Sequence, residues 1–149
     1  SLRNLPDGLW WALTVIATIM IADTGAYLVG RTWGRHKMAP SLSPGKTWEG
    51  YFSGVVTGAV SSVLLVMLWL QWAGNDTSLT VTHGLILGLI LAIVAPLGDL
   101  AISMVKRSVG VKDSGRIIPG HGGALDRVDS VLWAGVLGYY YVIWFVIGP

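Results

Sequence analysis

The chain has 149 residues, of which 53% are hydrophobic and only 12% charged. A soluble domain carries about 25% charged residues, so this composition excludes an ordinary water-soluble enzyme and points to an integral membrane protein. The absence of cysteine excludes disulfide and thiolate–metal chemistry. The net charge of +2 is small as a sum but uneven in distribution.

Four apolar stretches are long enough to cross a bilayer, which takes a helix of ~20 residues. They run about Leu9 to Val29, Trp48 to Leu70, Gly84 to Val105 and Val128 to Ile147. Unpaired strands leave backbone groups unsatisfied in lipid, so all four are expected to be helices. Of the ten Lys and Arg, four fall between Arg31 and Lys46 and five between Lys106 and Arg127. These two basic loops follow spans one and three, and the positive-inside bias puts both in the cytoplasm. The expected fold is therefore an all-α membrane protein of about four transmembrane helices with two basic cytoplasmic loops. Residues 1–149 read as a single transmembrane catalytic domain. Ser1 is not an initiator Met, and a longer protein is expected.

Span one contains Asp23, eight residues before Arg31; span three contains Asp99, seven before Lys106. Each carboxylate then lies about 10–12 Å inside the same membrane edge. Asp126 and Asp129 open span four from that edge and share a helix face. A carboxylate at such depth costs a few kcal/mol unless paired, protonated or metal-bound. Two readings follow: ion pairs that fasten helices, with Lys106, Arg107, Arg127 or Arg31 as partners, or a site for a hard cation. Oxygen ligands without cysteine suit Mg²⁺, which shares its shell with substrate phosphates.

The first loop contains Gly45-Lys46-Thr47, which mimics the end of a phosphate-binding loop. Pro40 stands where that motif needs glycine, and no strand is expected before it, so a Walker site is rejected. Ser43-Pro44 reads as a turn into span two, with Lys46 and Glu49 as solvated flanks or substrate contacts. Gly50, Gly54 and Gly58, and again Gly84 and Gly88, are spaced for close helix packing. Trp10, Trp11, Trp48, Trp69 and Trp72 sit where spans begin or end and read as interfacial aromatics. The second loop, 106–127, offers Lys106, Arg107, Lys112, Arg116 and Arg127 as phosphate partners. Its Pro119-Gly120-His121-Gly122-Gly123 run can expose consecutive backbone N–H groups to phosphate oxygens.

Three blocks resemble the phosphatidate cytidylyltransferases, or CDP-diacylglycerol synthases. They are Asp23-Thr24-Gly25-Ala26-Tyr27 with Lys46-Thr47-Trp48-Glu49-Gly50; Gly98-Asp99-Leu100 leading to Ser103–Arg107; and Lys112-Asp113-Ser114-Gly115 with Pro119–Gly123 and Asp126-Arg127-Val128-Asp129. The likeness covers the C-terminal portion of a typical member. Ile102, Gly45 and Ala124 depart from the pattern, Ile102 where an acidic residue is expected. The resemblance implies transfer of CMP from CTP to phosphatidate at the cytoplasmic face of the inner membrane, with Mg²⁺ as cofactor and a second ion left open. It implies Asp99, Asp126 and Asp129 as metal ligands, with Asp23 as a further one, and Lys106 beside them in catalysis. Lys46, Arg107, Lys112, Asp113, His121, Gly122, Gly123 and Arg127 are the implied substrate contacts. CTP, phosphatidate and membrane lipid are the expected partners; no nucleic acid is expected, and a homo-oligomer is left open.

Two rivals remain. A CTP-dependent lipid-alcohol kinase, acting on dolichol or phytol, would move the γ-phosphate instead of CMP. A cation transporter would spread carboxylates through the membrane depth, whereas the outer halves of the four spans carry none.

Overall fold

Long runs of Leu, Ile, Val and Ala with their backbone bonds satisfied internally give three helices in the computed structural model: α1 (Gly8–Thr32), α2 (Trp48–Trp69) and α3 (Val81–Ser108). The structure describes residues 5, 7–73, 77–108 and 125–148, and of residues 106 and 125–130 it describes the backbone alone. All three helices are long and apolar enough to cross a membrane. A fourth, α4 (Leu125–Tyr141), continues into a π-helical end at Val142–Ile147. Together the two run without a break over residues 125–147, where the sequence places the fourth span, and among the described side chains their apolar stretch is Val131–Ile147.

The helices approach through their small residues. A Cβ on Gly50 would meet the Ala26 carbonyl oxygen at 2.6 Å, and one on Gly54 the Ala26 Cβ at 3.0 Å. These two glycines therefore set the α1–α2 contact. Further along α2, a Cβ on Gly58 would meet Ala92 of α3 at 2.7 Å and Ala22 of α1 at 3.2 Å, and one on Gly88 of α3 would meet Ser62 at 2.6 Å. The glycine spacing read from the sequence thus corresponds to two different contacts of one helix, as expected where small residues let backbones come close. Ser62 also donates to the Gly84 carbonyl at 2.7 Å, a polar tie between α2 and α3.

The apolar core lies toward the end of the bundle where α1 begins. It joins Trp11, Val15 and Ile19 of α1, Val66 of α2, Leu87 and Leu91 of α3, and Val142. Trp11 corrects the interfacial reading: it is fully buried, because its indole N–H reaches the Ser78 hydroxyl at 3.1 Å and so leaves no donor unsatisfied. Trp72, by contrast, is exposed, as an interfacial residue should be. At the same end the Asp7 carboxylate accepts from the Ser78 backbone N–H (2.6 Å), the Ser78 hydroxyl (2.9 Å) and the Thr77 hydroxyl (3.0 Å), which ties the start of α1 to the entry of α3. Large side chains such as Met20, Leu28, Phe52, Val56 and Leu64 point outward. So broad an apolar exterior is a liability in water and the normal surface of a helix in lipid.

The first basic loop departs from an all-helical reading. It folds as an antiparallel hairpin, β1 (Lys37–Ala39) against β2 (Ser43–Thr47), with Lys37 opposite Thr47 and Ala39 opposite Ser43. The turn falls at residues 40–42, where Leu42 N–H donates to the Ala39 carbonyl, so Ser43-Pro44 opens a strand and is not the turn itself. Pro44 is tolerated because a two-stranded ribbon has only edges. The hairpin lies between helix ends, where its unpaired backbone groups do not have to be buried in hydrocarbon.

Candidate active site

The base of the hairpin is closed by the first turn of α2. Thr47 caps the helix, its hydroxyl accepting from the Gly50 N–H at 3.2 Å. The Trp48 N–H donates to the His36 carbonyl at 3.0 Å. Glu49 completes the closure: its carboxylate accepts from the His36 N–H at 3.2 Å and lies 2.6 Å from the His36 Nδ1. Glu49 thus fastens the hairpin to the start of α2. Gly45-Lys46-Thr47 lies within β2 and runs directly into α2. With no glycine-rich loop between strand and helix, the Walker reading stays rejected on the geometry as well.

Fastened in this way, β2 carries Lys46 over the end of the helix bundle. The Lys46 ammonium pairs with Asp99 Oδ2 at 2.5 Å and donates to the Pro96 carbonyl at 3.1 Å, so it binds α3 through both a side chain and the backbone. Tyr51 adds a second tie close by, its hydroxyl donating to the Ile93 carbonyl at 3.3 Å. The side chains of Lys46 and Asp99 are 24% and 32% exposed, so the pair stays open to solvent.

Lys46 and Asp99 line a cavity of about 470 Å³ together with Asp23 of α1. That volume is in the range of small-molecule sites. Its walls include Gly50 and Gly54 of α2 and Ala92 and Ala95 of α3, whose lack of bulk leaves the space open. Gly45 also lines it, and a Cβ there would meet nothing within 4 Å. The departure at position 45 thus widens the cavity instead of relieving a clash.

The structure therefore brings together three of the residues singled out by the sequence: Asp23, Lys46 and Asp99. Arg107 is exposed on the last turn of α3, about two helical turns beyond Asp99. It is not part of the cavity wall. The side chains of Lys106, Asp126, Arg127 and Asp129, and all of Lys112, Asp113, His121, Gly122 and Gly123, lie outside the described residues. Among the described residues no group of three or more His, Cys, Asp or Glu side chains gathers around one point. Arg31 is directed to Tyr27, donating to its hydroxyl at 3.0 Å. Sequence reasoning considered arginines and the second loop as partners for Asp99 and missed Lys46. The two residues are far apart in the chain, and only the hairpin joins them.

Chemically, two carboxylates and one ammonium facing one solvent-open cavity form a site with both hard oxygen donors and a fixed cation. Such a site suits a phosphate-bearing ligand together with a divalent ion. Residues 1–145 match the model of the cytidylyltransferase family. Proteins named phosphatidate cytidylyltransferase are similar over most of the chain. That of Haemophilus influenzae is 42% identical over 142 residues, covering 94% of this chain and 48% of the relative. That of Synechocystis is 44% identical over 141 residues, covering 95% and 46%. That of Staphylococcus haemolyticus is 45% identical over 127 residues, covering 85% and 46%. The chain spans about half the length of the curated relatives it matches. With 145 of its 149 residues matched, the chain belongs to the cytidylyltransferase family.

Proposed function

We propose that this chain is the catalytic portion, a single transmembrane domain, of an enzyme that transfers CMP from CTP to phosphatidate. The products are CDP-diacylglycerol and pyrophosphate. The observation that carries the reading is the cavity in which Asp23, Lys46 and Asp99 meet at the hairpin end of the bundle. The printed names of the relatives support the substrate assignment. A phosphate oxygen of phosphatidate attacks the α-phosphorus of CTP, and the bond from that phosphorus to the bridging β-phosphate oxygen breaks. Pyrophosphate leaves with the electron pair. No general base is required, because the nucleophile is already ionised.

The carboxylates of the cavity are hard oxygen donors and fit a divalent cation. Asp99 and Asp23, with Asp126 and Asp129 of α4, would hold Mg²⁺, which when bound offsets the charge growing on the departing pyrophosphate. Around it, Lys46, Lys106, Arg107, Lys112 and Arg127 neutralise phosphate charge. Asp113, His121, Gly122 and Gly123 would contact the nucleotide. Catalysis of this kind is mostly positioning and electrostatic stabilisation. A site close to the cytoplasmic edge of the inner membrane lets a soluble nucleotide meet a lipid headgroup.

The test is to incubate the intact protein in detergent with labelled CTP, phosphatidate and Mg²⁺ and to identify the products. Labelled CDP-diacylglycerol with pyrophosphate release is expected, and excess chelator should abolish both. In a parallel incubation with dolichol or phytol in place of phosphatidate, release of CDP with a phosphorylated lipid alcohol would establish the kinase reading instead. Ion flux into proteoliposomes without nucleotide would favour a transporter.

A further inference from the structure

Lys46 is held in a way that a substrate-binding lysine does not require. An ammonium has three N–H donors. Here one is spent on Asp99 Oδ2 at 2.5 Å and one on the Pro96 carbonyl at 3.1 Å, three residues earlier on the same helix. The lysine thus occupies the carboxylate that is the described metal-type donor of α3. Its second bond goes to a neutral group that cannot compete for a cation's charge. A dication and an ammonium sharing one carboxylate would lie within about 4–6 Å of each other, a distance at which like charges strongly disfavour joint occupancy. Lys46 and a metal ion therefore weaken each other's hold on Asp99. The Pro96 carbonyl offers the displaced ammonium a remaining anchor, so that Lys46 stays in the cavity when Asp99 is given up.

The geometry points to Lys46 as the resident counter-ion of Asp99: it yields the carboxylate to an arriving divalent cation and turns its charge to a phosphate in the same cavity. The inference rests on the reading of the cavity as a metal and nucleotide site and adds how that site is loaded. Lys46 then keeps Asp99 neutralised in the membrane edge while the site is empty, where an unpaired carboxylate is costly. It also makes metal and nucleotide binding cooperative. The metal frees the lysine, the phosphate stabilises the freed lysine, and by linkage each ligand favours the other.

The experiment measures Mn²⁺ binding to the intact protein in detergent, without nucleotide, by electron paramagnetic resonance. Lys46→Met should bind Mn²⁺ about tenfold more tightly than the unaltered protein, a size usual for coupling between bound charges. It should also lose most of the tightening that added CTP produces. Unchanged or weaker Mn²⁺ binding by Lys46→Met would overturn the inference. Because that variant could fail to fold, a second measurement uses the unaltered protein. Acetylation of the Lys46 amine, read by peptide mass spectrometry, should be slow without metal, faster with Mn²⁺ alone, and slow again with Mn²⁺ plus CTP. An acetylation rate indifferent to Mn²⁺ would likewise overturn it. If CDP-diacylglycerol is made normally while both measurements fail, the loading scheme falls and the proposed reaction stands.

Discussion

Replacing Asp99 with Asn is expected to lower CMP transfer about a hundredfold, the upper end of the effect of disturbing a metal's surroundings, while the bundle still folds. Asn has nearly the shape of Asp, and its carbonyl oxygen can still accept from the Lys46 ammonium in place of Oδ2. What it removes is the negative charge. The alternative account makes Asp99 a fastener between β2 and α3 alone. That account predicts a different pattern, because an ion pair as open as this one contributes about 0–1 kcal/mol to stability. A mere fastener would lower the melting temperature slightly and leave transfer per folded molecule intact. Initial rates with CTP and phosphatidate, measured beside a thermal melt in the same detergent, separate the two. Near-normal transfer by Asp99→Asn would remove it from the reaction.

The second large effect is structural. Gly50→Val should destabilise the protein by about 1–3 kcal/mol, the usual cost of overpacking, and should abolish transfer even in the molecules that remain folded. A Cβ at Gly50 meets the Ala26 carbonyl oxygen at 2.6 Å and the Gly30 Cα at 3.1 Å. Both are backbone atoms, so no side chain can rotate away, and α1 and α2 must separate. Gly50 also lies on the cavity wall and in the turn that fixes the hairpin, its N–H held by Thr47. The same substitution therefore crowds the site and shifts Lys46. A β-branched residue is worse than Ala here because it adds two further carbons at the tightest point. A melting temperature equal to that of the unaltered protein would show that the α1–α2 contact is looser than described.

Much of this was legible in the sequence because the bilayer imposes simple rules. Apolar length located α1, α2 and α3, with ends displaced by at most about one turn. Counting residues to the nearest basic group gave Asp23 and Asp99 the same expected depth, and the two line one cavity. The glycine spacing identified the contact faces of α2 but not which neighbour each glycine meets. Trp11 was misread because position along a span does not reveal which way a side chain faces; its burial depends on Ser78, which is distant in the chain. The hairpin was missed for a related reason. Residues 37–47 lack the alternation of a half-buried strand, and their pairing is set by the fastening of His36 to Glu49. Without the hairpin, Lys46 has no visible route to Asp99, and the partner of that carboxylate was sought in the second loop.

The central claim is that carboxylates from separate helices share a divalent ion in the cavity beneath the hairpin. The most direct measurement is an anomalous-scattering map of the intact protein crystallised with Mn²⁺ and a non-hydrolysable CTP analogue. The account predicts a manganese peak at coordination distance from Asp99, inside the cavity lined by Asp23 and Lys46, with analogue phosphates beside it. Manganese bound elsewhere, with analogue present but Asp99 bearing no metal, would contradict it.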